Sequence, residues 1–115
     1  MAITYKQKKK LESMSRLGKM VRFKSKETGE SRLWGKVEDE VYILVHDYKH
    51  MIQRISPHPE GSTWWDGSKY GYRTGYYTFA KGKKSIVWGQ YSQFLTGNEY
   101  RRLHRKAVKK GWRIE

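Results

Sequence analysis

The stretch MVRFKSKETGESRLWGKVEDEVYILV, residues 20–45, alternates where it begins and runs apolar where it ends. Val21 and Phe23 fall on one side while Arg22, Lys24 and Lys26 fall on the other, the period of two of a half-buried strand. Glu27-Thr28-Gly29-Glu30 supplies a turn, with glycine where a positive φ is needed. Arg32 to Val45 is then rich in β-formers and closes on Val41-Tyr42-Ile43-Leu44-Val45. That is long for one strand, so a bend near Gly35 or a tight turn at Glu38-Asp39 is expected.

Lys49 to Ile55 reads as a further strand. Ser56 to Ser68 reads as a loop, because it holds Pro57, Pro59, Gly61 and Gly67 and carries the pair Trp64-Trp65. Tyr70 to Ala80 and Ser85 to Tyr91 form the clearest hairpin, closed by Lys81-Gly82-Lys83-Lys84. Glycines inside strands (Gly35, Gly71, Gly75, Gly89) point to strong curvature.

Helical signals flank this β-rich middle. Thr4 and Gln7 have capping-box spacing, and Leu11, Met14 and Leu17 recur every third residue before Gly18. Lys6, Lys8, Lys9 and Lys10 crowd the first turns of this helix, where its dipole disfavours cations. Near the other end, Thr96 and Glu99 form a second capping box and Gly111 stands where a C-terminal glycine belongs. Tyr100, Leu103 and Ala107 share one face, and Arg101, Arg102, Arg105, Lys106, Lys109 and Lys110 occupy most of the rest. The expected architecture is α+β and a single domain over 1–115. A basic N-terminal helix (1–18) and a C-terminal helix (96–111) enclose an antiparallel core (20–91). That core is a strongly curved sheet or small SH3-like barrel of about five strands.

The charge is unevenly placed. The net value is +14, yet residues 1–26 hold nine Lys/Arg against one acid and residues 101–115 hold seven against one. The 74 residues between them hold nine of each and sum to zero. Two short basic segments meeting on one side of a fold would make a polyanion-binding face. An aromatic content of 15% speaks for a folded core and against a disordered tail. The absence of cysteine excludes disulfides and thiolate metal sites. No run approaches the roughly 20 apolar residues needed to span a bilayer, and no signal-peptide stretch follows the first lysines. The expected setting is soluble and cytoplasmic, where nucleic acid is the abundant polyanion. An anionic membrane surface would require a helix with a strongly apolar face.

The residues expected to contact phosphate are Lys8, Lys9, Lys10, Arg22, Lys24, Arg73, Lys83, Lys84, Arg101, Arg102, Arg105, Lys106 and Lys109. Ordinary surface helices mix signs to gain i,i+4 pairs, whereas no acid stands between Arg101 and Lys110. Arg73, between Gly71 and Gly75, stands in a clearing where its guanidinium would reach a phosphate or a base, unless the glycines serve curvature alone. Trp64, Trp65, Tyr72 and Tyr76 are candidates for an aromatic pocket, although core packing is the favoured reading for the tyrosines and for a tryptophan pair. Glu38-Asp39-Glu40 and His46-Asp47 with His50 are the acidic and histidine clusters. Charge balance in a turn is favoured over a metal-dependent nuclease, since neighbouring strand residues point apart. No cofactor or metal is expected. The chain thus reads as a non-enzymatic nucleic-acid-binding module, duplex DNA favoured over RNA. A peptide-interaction module around Trp64 and Trp65 is the alternative, and a small nuclease the third.

Overall fold

The computed structural model describes residues 4–24, 27–79, 85–89 and 95–112, with side chains throughout except at 23, 24 and 62–64. The element order is α1 (Tyr5–Ser13), β1 (Met20–Lys24), β2 (Ser31–Val45), β3 (Tyr48–Pro57), a 3-10 helix over Pro59–Trp64, β4 (Gly71–Phe79), β5 (Ile86–Gly89) and α2 (Gly97–Lys109). The class is α+β: five antiparallel strands, hydrogen-bonded in chain order from β1 to β5, with a helix at each end.

β2 is one strand of 15 residues, and the turn expected at Glu38-Asp39 does not occur. Its acids have partners instead: Ser56 Oγ donates to Glu38 Oε1 at 2.7 Å and Gln53 Nε2 to Glu40 Oε2 at 2.6 Å. Gly35 admits the close approach of Ile55 and the Ser56 backbone, which occupy the place of a Cβ. The irregularity falls in β1, where the register with β2 shifts between Val21 and Arg22. The expected loop is also shorter than its composition suggests. β3 continues to Pro57, and Pro59 opens the 3-10 helix, its fixed φ suiting a first helical position. His58 Nδ1 accepts from the Glu60 N–H at 3.1 Å, as a cap would. The Lys81–Lys84 turn lies outside the described residues.

Both capping boxes form. α1 nevertheless stops at Ser13, short of the expected residue 18, so Met14 and Leu17 lie beyond it. A residue distant in sequence caps this end. The buried ammonium of Lys49 reaches the carbonyls of Glu12, at 2.6 Å, and Met14. A cation thereby sits at the negative end of the helix, and Met14 turns extended at φ −68°, ψ 132°. Gly18, at φ 79°, serves a separate turn in which Lys19 N–H donates to Arg16 O. α2 ends as its sequence predicts. Gly111 adopts φ 82°, its N–H donates to Val108 O, and that of Trp112 donates to Ala107 O, the bonds of a Schellman motif. Trp112 is buried.

The chain packs as two compact units. The first comprises Met1–Ser15, Val41–Ile52 and Thr74–Glu115. In its core Leu11 of α1 meets Met51 and Tyr77, with Tyr42, Leu44, Phe79, Ile86 and Trp88 packed around them. The second comprises Arg16–Glu40 and Gln53–Arg73. Its core is Val21, Val37 and Ile55, closed by Trp34 and Trp65.

Candidate functional site

An α-helix turns about 100° per residue, so the buried Leu103 and Ala107 fix the inner side of α2. Asn98, Arg101, Arg105 and Lys109 then lie within about 40° of the opposite, outermost line. Arg102 and Lys106 flank that line on one side and Val108 and His104 on the other, while Tyr100 stands nearer the buried side. All six basic residues from Arg101 to Lys110 are exposed. Lys106 is tethered: its ammonium donates to the Tyr42 carbonyl at 2.7 Å and stands 5.1 Å from the Tyr42 ring. Arg101 Nη1 makes a long 3.4 Å bond to Asn98 Oδ1. Among the described residues, no ion pair engages Arg102, Arg105 or Lys109. Glu99 is the one acid in α2, and it is occupied in the capping box. The Thr96 N–H holds its carboxyl below the usual carboxylate range.

The surroundings are basic too. The first unit carries fifteen Lys and Arg against four acids, net +11, whereas the second carries ten against seven, net +3. α1 adds the exposed Lys6, Lys8 and Lys10, with Lys9 standing 5.5 Å from the Tyr5 ring.

Both basic helices belong to the first unit. Alternation along β3 points Lys49 and Met51 one way and His50 and Ile52 the other. Leu11 places α1 on the Met51 side. Lys49, His50, Met51 and Ile52 are all buried, as in a strand covered on both faces. Tyr42 is common to the two helices: its O–H donates to Glu12 Oε2 at 3.0 Å, and the Lys106 ammonium of α2 stands 5.1 Å from its ring. α2 carries the larger charge.

The remaining candidates are dispersed. Arg22 is exposed on β1, in the second unit. The side chain of Lys24, and Lys83 and Lys84 entirely, lie outside the described residues. Arg73 does not stand in a clearing. Indole rings cover the neighbouring glycines, a Cβ at Gly71 falling 2.7 Å from Trp65 Cη2 and one at Gly75 meeting Trp88. Its Nε and Nη2 donate to Gln53 Oε1 at 2.9 and 2.6 Å, and Gln53 in turn donates to Glu40, which also accepts the Arg16 N–H. Arg73 is thus a member of an internal polar network around the fully buried Gln53.

Trp65 likewise faces inward. Its ring stacks on Trp34 at 4.6 Å, and its Nε1–H donates to the Trp34 carbonyl at 3.1 Å. An open cleft of about 390 Å³ lies beside it, lined by Pro57, His58, Pro59, Gly67 and Ser68. The Trp64 side chain lies outside the described residues. Tyr72 is half-buried in the second unit. Tyr76, in the first, packs with Tyr48 and His50 at centroid distances of 5.5 and 6.1 Å.

The acids do not assemble. Glu38 and Glu40 have the partners given above, and Asp39 Oδ1 accepts the Glu40 N–H. Among the described residues, no group of three or more His, Asp or Glu is placed to hold a metal ion. His46 sits in the β2–β3 turn at φ 54°, where Asp47 O accepts from Thr78 Oγ1. Three residues with structural weight were missed in the sequence: Tyr42, Lys49 and Gln53. A signal existed for two of them, a lysine and a glutamine inside a strand of apolar neighbours.

No helix of the described residues is long and apolar enough to cross a membrane. Comparison with protein families, with curated proteins and with solved structures finds no match for this chain.

Proposed function

We propose that the chain is a non-enzymatic nucleic-acid-binding module that docks the outer face of α2 on the phosphate backbone. The observation that carries this reading is the exposed row of Arg101, Arg102, Arg105 and Lys109 on a doubly capped helix, within a unit of net charge +11. Like charges crowded on one helix repel, and a polyanion relieves that repulsion. An anionic bilayer is a poorer fit, because the apolar side of α2 is buried in the fold and cannot enter lipid. Duplex DNA ranks ahead of RNA as the partner, and α1 offers a second basic surface.

Two observations weigh against the other readings. An aromatic pocket would draw on the indole N–H and both ring faces, whereas the Trp65 N–H donates to the Trp34 carbonyl and one of its faces stacks on the Trp34 ring. A two-carboxylate nuclease needs converging acids, whereas Glu38 and Glu40 are bonded within the sheet.

Fluorescence-anisotropy titration with duplex DNA, single-stranded DNA and hairpin RNA tests the proposal. With roughly five phosphates neutralised, log affinity for duplex DNA falls with log salt at a slope of about −4 to −5. Equal, weak binding to all three nucleic acids would reduce the charge to a nonspecific property.

A further inference from the structure

The placement of arginine and lysine around α2 is not uniform. Nearest the line opposite the buried side stand Asn98, Arg101 and Arg105 and, in the last turn, Lys109, with Arg102 beside them. We infer that α2 enters the major groove of duplex DNA, where Asn98, Arg101 and Arg105 contact base edges while Arg102 and Lys109 hold phosphates. The inference rests on the nucleic-acid reading of the same helix and adds base recognition to it.

The chemistry of each residue fits its task. Arginine presents a rigid two-pronged fork that matches O6 and N7 of guanine, and asparagine matches N6 and N7 of adenine. Lysine is a compact charge that suits phosphate and reads no edge. Asn98, Arg101 and Arg105 are spaced i, i+3 and i+7, so they project along one side of the helix. Asn98 and Arg101 stand in its first turns, the end that reaches base edges in groove-docked helices. Both are exposed, and the 3.4 Å bond between them is weak enough to exchange for a base.

The size fits as well. A helix with its side chains is about 10–12 Å across, and the B-form major groove is about 12 Å wide. The major groove of A-form RNA is too narrow for this mode, which separates the two duplexes.

The test is selection from a library of randomised DNA duplexes, followed by titration of wild type, Arg105→Lys and Lys109→Ala. The expected result is an enriched site containing guanine. Arg105→Lys keeps the charge and removes the fork. Its ratio of selected to random duplex affinity falls roughly 5- to 150-fold at one base pair. Lys109→Ala weakens selected and random duplexes alike and lowers the salt slope by about 1. Binding to random duplex with no enriched site would overturn the base-contact inference and leave the phosphate reading standing. Preference for single strands or hairpin RNA would overturn groove docking. Failure to bind any nucleic acid would overturn both.

Discussion

Arg73 illustrates how one residue's role depends on partners that its neighbours do not announce. Flanked by glycines, it has the local appearance of a ligand-binding arginine, yet Gln53, twenty positions away, accepts two of its bonds. Arg73→Met therefore leaves the buried Gln53 carbonyl unsatisfied and lowers stability by about 1–3 kcal/mol. Nucleic-acid affinity stays unchanged. Urea unfolding read beside anisotropy checks this, and lost affinity with unchanged stability would return Arg73 to the binding surface. His50 makes a second residue-scale prediction. Burial pushes its imidazole below the ordinary 6.5, and the Glu99 charge opposes that shift in part. The native state thus disfavours the proton that the unfolded chain accepts. Stability from the neutral ring is fully present above about pH 6.5 and is lost as pH falls toward the lowered native value. The stability difference between wild type and His50→Gln shifts against wild type on going from pH 7 to pH 5. Parallel pH profiles for the two proteins would contradict this.

At the scale of elements, the helix termini were legible and the α1 boundary was not. Thr96 with Glu99 and Gly111 with its positive φ state both ends of α2 locally, because caps are made by residues three or four positions apart. Thr96→Ala costs about 1 kcal/mol by the loss of its cap. Gly111→Ala costs a similar amount, since a Cβ disfavours φ 82°. Chemical denaturation measures both, and a stable Gly111→Ala would mean that the Schellman turn is dispensable. The end of α1 is capped instead by Lys49, 35 residues beyond Met14, a partner that no spacing rule within 1–18 reveals. The fifteen-residue β2 was hidden for a like reason. Glu38-Asp39-Glu40 resembles a turn until Ser56 and Gln53 are brought alongside as donors. Strand alternation gave two sides to each strand, but not that β3 is buried on both.

For the whole molecule, the charge matters through where it lies. Composition disclosed +14 and two basic ends. The fold decides that the first unit, which holds both helices, carries +11 of the total. A molecule that bound polyanions through net charge alone would be indifferent to the helix from which charge was removed. Two variants of equal charge change separate these cases: Arg102→Glu/Arg105→Glu/Lys109→Glu on α2, and Lys6→Glu/Lys8→Glu/Lys10→Glu on α1. The decisive measurement is titration of both variants and wild type against one DNA duplex from about 50 to 200 mM salt, the range over which phosphate contacts weaken most visibly. The α2 variant is predicted to lose binding throughout, while the α1 variant keeps most of its affinity and a salt slope near wild type. Equal losses in the two variants would contradict the assignment of the binding surface to α2.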